Sequence, residues 1–320
     1  MRLEVGAHGP QVAELQRRLD SLGLDAGGDG RYDDHTRQAV REFQRRRRLR
    51  VDGICGPETW SALVEASFRL GDRVLFRQSP MLRGDDVAEL QERLGALGFD
   101  AGRVDGIFGD DTKRALVEFQ RNAGLPADGI CGSRAVTELR RLERQVDQGD
   151  PVAAIKEREA LRRTPRTLLG YRVVVGHGGP LDTLAEAVRQ AIAAEGAFAV
   201  VVHDPDDSHR AERANAVDAQ VYLEFQPSSE PSRFTTAYYA GYRFRSAGGQ
   251  RLAELLEERF SSALRRPAGR VVGMSLPVLR ETKMPAVVCE VLVPEAGESA
   301  TLLTRPIVDA LRAWLLEAWE

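Results

Sequence analysis

The chain has 320 residues, of which 42% are hydrophobic and 29% are charged, and its formal net charge is -3. These values are typical of an ordinary globular protein with two or three domains, and they exclude the strong basic field that a nucleic-acid-binding protein carries. The N-terminal sequence lacks the apolar stretch of a secretory signal, and no run of 18 apolar residues follows, so we expect a cytoplasmic protein without a transmembrane segment.

The first half of the chain contains an internal repeat. Val12–Gly23 and Val87–Gly98 carry the same pattern of valine, leucine, glutamine and glycine at an offset of 75 residues. Asp-Gly turns, a threonine and a Phe-Gln pair recur later in each copy at an offset of 76 residues. So many ordered matches indicate two copies of one structural unit, at residues 1–70 and 71–142.

Each copy predicts three short helices. In the second copy, one face of the first helix is apolar, and Gly98 follows it at the position where a helix ends. Asp105-Gly106 is typical of a turn that needs a positive φ at glycine, and the second helix carries Phe119 on its apolar face. A second Asp-Gly turn precedes the third helix. The sequence therefore predicts two small three-helix bundles.

The repeated pattern resembles the bacterial peptidoglycan-binding family, whose signature joins G-x-x-V-x-x-L-Q-x-x-L-x-x-L-G to D-G-x-F-G and F-Q motifs. The second copy matches nearly every position, whereas the first copy has Asp33 where the second has Gly109. The resemblance covers about residues 3–142. It implies a shallow groove for muropeptide, with most signature residues serving the fold.

Two features of the repeats have alternative interpretations. The run Arg45–Arg48 is expected to be the solvated end of the second helix, and the alternative is a patch for an anionic ligand. Cys55 and Cys131 occupy equivalent positions in the two copies and are expected to be small buried residues. A disulfide between them is the alternative, which a reducing compartment disfavours.

The second half of the chain has a different pattern. Residues 143–169 are polar and charged and are predicted to connect the domains, with an exposed helix at 151–163. Strands are predicted at 171–175, 197–202, 221–225 and 285–291, and helices at 181–195, 209–216, 248–264 and 306–319. This alternation predicts an α/β domain with a mainly parallel sheet at residues 170–320, whose site lies at the carboxyl ends of the strands.

The motifs of this domain resemble those of the zinc-dependent N-acetylmuramoyl-L-alanine amidases, which cleave the bond between MurNAc and the peptide stem. The first strand ends in Gly176-His177-Gly178-Gly179, where the family has D-P-G-H-G-G. The segments Arg210–Gln220 and Val278–Glu290 match two further family motifs. The resemblance covers about residues 170–320 and implies an α/β fold built around a zinc site.

The resemblance assigns roles by position. His177 corresponds to the first zinc ligand, and Glu290 to the final glutamate that acts as general base. Gln226 stands where the family has a histidine ligand, and a glutamine amide is a poor ligand for zinc. The loop that carries the remaining ligand is largely deleted. His177 is therefore expected to be the single surviving ligand, and Glu290 a vestigial base.

Other side chains could compensate for the lost ligands. Asp182 and Glu186 are the nearest carboxylates, but neither aligns with the family's ligand. His203 and His209 are interpreted as surface histidines, with rescue of zinc binding as the alternative.

These observations favour a peptidoglycan- or precursor-binding protein with an inactive amidase-like domain that acts in the regulation of peptidoglycan synthesis. We expect no cofactor, and the candidate partners are peptidoglycan, its MurNAc-peptide precursors and a protein of the cell-wall pathway. The domain layout resembles that of actinobacterial CwlM-type proteins. The candidate ligand-binding residues are His177, Gln226, Arg280 and Glu290. The alternative is an active zinc amidase, which would require export and three zinc ligands.

Overall fold

The computed structural model describes residues 2–143, 152–228, 235–241, 244–264, 269–291 and 298–319. They form two compact units, one from the first half of the chain and one from most of the second half. In the described ranges, no helix combines the length and the apolar character that a membrane crossing requires.

The first unit consists of two modules of three helices each. The helices are α1 (Pro10–Ser21), α2 (Asp34–Arg47) and α3 (Pro57–Ala66) in module 1, and α4 (Asp85–Ala96), α5 (Asp110–Asn122) and α6 (Ser133–Glu143) in module 2. Each module has a separate hydrophobic core. A short antiparallel bridge closes each one, Leu3 with Cys55 and Leu75 with Cys131. The prediction of two small three-helix bundles is confirmed.

A buried glutamine on α1 holds the first Asp-Gly turn of module 1. The amide nitrogen of Gln16 donates to the carbonyl oxygen of Arg31 at 3.1 Å and to Thr36 Oγ1 at 3.0 Å. Its side-chain oxygen accepts from the backbone nitrogen of Gly30 at 2.9 Å. Gln91 makes the equivalent bonds in module 2. The glutamine of each Leu-Gln pair therefore satisfies polar groups that the turn would otherwise bury without partners.

The glutamine of each Phe-Gln pair holds the second turn in the same way. The amide nitrogen of Gln44 donates to Asp52 Oδ1 at 2.8 Å, and its oxygen accepts from the backbone nitrogen of Gly53 at 2.8 Å. Gln120 repeats these contacts in module 2. Gly53 has a φ of 74°, a conformation that other residues rarely adopt. The repeated glutamines and glycines thus build the turns.

The arginine run at the end of α2 is paired with carboxylates. Arg46 Nε donates to Glu42 at 2.9 Å, within the helix. Arg47 makes a two-point contact with Asp85 at the start of α4, at 3.0 and 2.6 Å. Arg48 ends the helix with a φ of 55°. The run is therefore the C-terminal end of a helix, as expected, and Arg47 also links the two modules.

The cysteines of the modules are buried and carry free thiols. Cys55 and Cys131 each have no exposed surface. Burial raises the pKa of each thiol to about 12. They serve as small apolar side chains of the two cores, as the sequence predicts.

Among its described residues, the second unit is built on one sheet of six strands. The strands are β1 (Arg172–His177), β2 (Phe198–His203), β3 (Val221–Pro227), β4 (Thr235–Tyr239), β5 (Arg270–Met274) and β6 (Ala286–Val291). Their order across the sheet is β2-β1-β3-β6-β4-β5. β4 is antiparallel to β6, and every other neighbouring pair is parallel. The predicted α/β fold with a mainly parallel sheet is confirmed, although β4 and β5 were not predicted.

Helices cover both faces of the sheet. They are α7 (Val152–Arg162), α8 (Asp182–Ala194), α9 (Asp207–Ala216), α10 (Ala247–Leu264), α11 (Pro277–Glu281) and α12 (Glu298–Leu315). α8, α10 and α12 share a hydrophobic core with Val175 and Phe225 of the sheet. α9 packs against α11 and reaches the opposite face through Arg210, which contacts Glu224. The sheet therefore has an α8 face and an α9 face.

The predicted connection at 143–169 contains α7, which is close to the expected helix at 151–163. Residues 144–151 of this connection lie outside the described ranges. Leu161 of α7 is buried in the core of the second unit. Part of the connection therefore packs as an element of the α/β unit, while the domain boundaries stay predictions.

Replacing Gln16 with alanine should lower the free energy of unfolding of module 1 by about 2–4 kcal/mol, because Gly30 and Thr36 lose buried hydrogen bonds. Gln11, exposed on the same helix, provides the matched control, and Gln11→Ala should change the free energy by less than about 0.5 kcal/mol. Hydrogen exchange of the 25–36 loop and thermal denaturation of the full chain measure the two effects. If Gln11→Ala lowered the free energy of unfolding as much as Gln16→Ala, the role assigned to Gln16 would be contradicted.

Candidate functional site

Polar side chains gather at the carboxyl ends of four parallel strands. His177 ends β1 and pairs with His203 on β2 and with Phe225 on β3. Gln226 on β3 pairs with Glu290 on β6. Paired residues point to the same face of a sheet, and successive residues of a strand point to opposite faces. His177 and His203 therefore lie on one face, whereas Gln226 and Glu290 lie on the other.

Contacts around the glycines confirm this alternation. A Cβ atom on Gly176 would lie 1.9 Å from the hydroxyl of Tyr222, and one on Gly178 would lie 2.8 Å from a guanidinium nitrogen of Arg210. The amide nitrogen of Gln226 donates to Glu224 at 3.3 Å. Gly176, Gly178 and Gln226 thus share the α9 face, and His177 between the two glycines points to the α8 face. The glycines are required because no side chain fits there.

An ion pair occupies the α9 face beneath these residues. Arg210 and Glu224 are both buried, with exposures of 1% and 0%. Arg210 donates to the two carboxylate oxygens of Glu224 at 3.1 and 2.7 Å, and the hydroxyl of Tyr222 donates to the same carboxylate. Burial raises the pKa of Glu224, and the charge of Arg210 offsets part of that rise. These hydrogen bonds hold the carboxylate of Glu224 in the interior of the domain.

On the α8 face, His177 lies beside Asp182 and His203. Its ring is fully buried, and its Nδ1 lies 2.8 Å from the carbonyl oxygen of Gly179. A carbonyl oxygen only accepts hydrogen bonds, so Nδ1 carries a hydrogen, and in the neutral ring Nε2 then has the lone pair. Nε2 lies 3.6 Å from Asp182 Oδ1. His203 Nδ1 lies 3.3 Å from His177 Nδ1.

These three side chains could hold a metal ion. One potential ligand atom from each of His177, Asp182 and His203 lies within 4.8 Å of the other two. His203 and Asp182 are exposed, so the group opens to solvent on one side. From the sequence, Asp182 and His203 were candidates to replace lost ligands, but neither was assigned as a ligand. Their positions in the sequence could have identified them. His203 ends β2, the strand beside β1, and Asp182 begins α8, the helix that follows β1.

Arg280 lies in α11, and Asn215 of the Arg210–Gln220 motif contacts the end of this helix. The side chain of Arg280 is 16% exposed and approaches Glu281 at 3.8 Å. Asn215 of α9 donates to the carbonyl oxygen of Glu281 at 2.8 Å and accepts from the backbone nitrogen of Lys283 at 2.8 Å. These two hydrogen bonds of Asn215 therefore connect α9 to the end of α11.

The ligand set implied by the family resemblance does not assemble. Gln226 and Glu290 are neighbours in the sheet, but His177 points away from both. The amide of Gln226 is engaged with Glu224. His209, the other histidine considered, is exposed and lies 3.6 Å from Asp204. These positions do not fit a zinc ion coordinated as in the family.

Comparison with known proteins places the two halves of the chain in separate families. Residues 8–63 and 83–139 match the family described as putative peptidoglycan binding domain, and residues 181–313 match the N-acetylmuramoyl-L-alanine amidase family. These matches confirm both resemblances drawn from the sequence.

Similar proteins include one that matches nearly the whole chain. The N-acetylmuramoyl-L-alanine amidase CwlM of Mycobacterium tuberculosis is 34% identical over 99% of this chain and 88% of that protein. The N-acetylmuramoyl-L-alanine amidase CwlL of Bacillus licheniformis is 37% identical over 44% of this chain and 45% of its own length. A solved amidase, Ami1 from Mycobacterium smegmatis, covers 47% of this chain and 98% of its own with a TM-score of 0.41 and 14% identity.

Replacing Arg210 with methionine should destabilise the α/β unit by about 3–5 kcal/mol, because Glu224 is left as a buried charge without its partner. The deficit should be smaller at pH 5 than at pH 8. A carboxyl group whose pKa is raised in the folded state stabilises that state at low pH, and this contribution is lost as the pH rises through the folded pKa.

Denaturant unfolding of the full chain at both pH values measures the effect. The exposed Arg213 lies on the same helix, and Arg213→Met should change the free energy of unfolding by less than about 0.5 kcal/mol. A deficit for Arg210→Met that is the same at both pH values would contradict the pairing with Glu224.

Proposed function

Because this chain belongs to the family of the N-acetylmuramoyl-L-alanine amidase CwlM, we propose that it binds peptidoglycan fragments through its two modules and that its amidase-like domain does not hydrolyse them. The pairing of residues between neighbouring strands of the sheet is the observation that supports this proposal. His177 lies on the α8 face, and Gln226 and Glu290 lie on the α9 face.

Amide hydrolysis of the family's type needs a metal-activated water next to a carboxylate base. A catalytic zinc lowers the pKa of its bound water from about 16 to about 7, and a nearby carboxylate then removes the proton. A general base must lie within hydrogen-bond reach of that water. Glu290 points away from His177, so it does not meet this requirement for a water held at His177.

Module 1 offers a surface for the ligand. An open groove runs between the N-terminal segment and the first Asp-Gly turn, and its lining includes Gly6, His8, Pro10, Asp29, Arg31 and Tyr32. Arg31 is exposed, and the arginine fork matches a carboxylate geometrically. Muropeptide stems carry carboxylates, so this groove is the proposed binding surface of module 1.

A binding protein without hydrolytic activity fits a regulatory role in peptidoglycan synthesis. In this role the modules recognise MurNAc-peptide units, and the amidase-like domain supplies a second surface for a ligand or for a protein of the cell-wall pathway. The cytoplasmic location expected from the sequence stays a prediction. Cell fractionation with an antibody against the full chain tests it.

The full chain, supplied with zinc, should release no stem peptide from soluble muropeptides, because the base and His177 are on opposite faces of the sheet. Chromatography of the reaction products measures release, with a zinc amidase of the same family as positive control. Turnover that Glu290→Ala abolishes would refute the proposal and support an active amidase.

Arg31→Glu should weaken binding of a soluble muropeptide by about tenfold, which corresponds to about 1.4 kcal/mol. Arg41 is an exposed arginine of the same module that does not line the groove, so Arg41→Glu makes the same change of charge elsewhere and should leave binding unchanged. Isothermal titration calorimetry with the full chain compares them. Equal weakening by both variants would indicate a general charge effect and would exclude Arg31 as a contact.

A further inference from the structure

We propose that His177, Asp182 and His203 form a divalent metal site on the α8 face, in which Asp182 and His203 replace the ligands that the family resemblance implies beside His177. The site lies where β1 and β2 end and α8 begins. The inference goes beyond the proposed function, because metal binding at this place requires neither hydrolysis nor muropeptide.

The first argument is the state of His177. The ring is fully buried, and within the described residues its Nε2 has no hydrogen-bond partner. Buried polar atoms normally have partners, so a lone pair left in the interior calls for an explanation. The hydrogen bond from Nδ1 to the carbonyl oxygen of Gly179 fixes the ring with Nε2 ready to accept. Metal-binding histidines typically have this arrangement, with the second nitrogen bonded to a carbonyl or carboxylate.

The second argument is the spacing of the potential ligands. His177 Nε2 and Asp182 Oδ1 are 3.6 Å apart. Two ligands that each lie about 2.1 Å from a tetrahedral zinc ion are separated by about 3.4 Å. The His203 ligand atom completes a group whose members all lie within 4.8 Å of one another. His203 is exposed, so its ring lies on the solvent side of the group.

The ligand types indicate which metal ions bind. Two imidazoles and one carboxylate suit zinc and similar transition metals, whereas calcium and magnesium prefer oxygen ligands throughout. Three protein ligands leave a fourth position for water on the solvent side. The chemical class of the ligand is therefore a divalent transition metal, of which zinc is the probe to use.

The proposed site differs from the family's set by the strand that supplies its second histidine. In the family that histidine ends the strand corresponding to β3, where this chain has Gln226. Here the second histidine ends β2, directly opposite His177 in the sheet. Asp182 reaches the site because only Gly178–Leu181 separates β1 from α8. The short turn brings the start of the helix back to the end of the strand.

The test is zinc binding by the full chain, prepared free of metal and titrated with zinc chloride. We expect one zinc ion per chain by elemental analysis, and cobalt in its place should give an absorption spectrum typical of a site with nitrogen ligands. His203→Ala and Asp182→Ala should each weaken zinc binding by more than about 100-fold, since loss of a direct ligand exceeds the effect of an outer-shell change. Both residues are exposed, so both variants should fold.

Two control variants make the result specific. Glu186 lies one turn further along α8 and pairs with Arg189, so Glu186→Ala should leave zinc binding unchanged. Glu290→Ala should also leave it unchanged. His177→Ala removes a residue common to both possible sites and does not discriminate between them.

Absence of stoichiometric zinc would overturn the proposal, as would zinc binding that depends on Glu290 and Gln226 but not on His203. Zinc binding that depends on His203, with no release of stem peptide, would support both the metal site and the proposed function. Hydrolysis that depends on His203 would support the metal site and refute the proposed function, so the two can fail separately.

Discussion

The two-residue period of a β-strand governs the second half of this protein. Gly176, His177 and Gly178 follow one another at the end of β1, so their side-chain positions alternate between the faces of the sheet. The α9 face is filled by the guanidinium of Arg210 and the hydroxyl of Tyr222, which leave room for glycine only. The histidine between the glycines is therefore directed to the α8 face. The separation of His177 from Glu290, and its proximity to Asp182, both result from this constraint.

Most of the fold could be predicted from the sequence because periodic patterns specify it. The repeat predicted the two modules, and alternating strands and helices predicted the sheet that contains β1, β2, β3 and β6. β4 and β5 escaped prediction because Ala237 interrupts the first and Gly273 the second, and both residue types are depleted in strands. In the modules, the polar roles of Gln16 and Gln44 were also not predicted, since a helical pattern shows where a side chain points but not which turn it meets.

The candidate site was harder to predict than the fold. Aligning motifs along the chain correctly located His177, Gln226 and Glu290 at the carboxyl edge of the sheet, but an alignment does not say which face each side chain occupies. The register of β1 with β3 supplies that information. Asp182 was excluded because it did not align with a family ligand, yet the short turn before α8 brings it to within 3.6 Å of His177. Asp182 is therefore identified by its distance to His177 and not by alignment with the family.

The buried thiols of the modules have a consequence for the chemical reactivity of the folded protein. Burial raises the pKa of Cys55 and Cys131 to about 12, so the thiolate form of either residue is scarce at neutral pH. Because the thiolate is the nucleophile that reacts with oxidants and disulfides, burial lowers the reactivity of both thiols in the folded modules. Neither module uses a covalent crosslink or a redox-sensitive group to hold its core. In the folded modules, oxidants and disulfides therefore meet little reactive sulfur at Cys55 and Cys131.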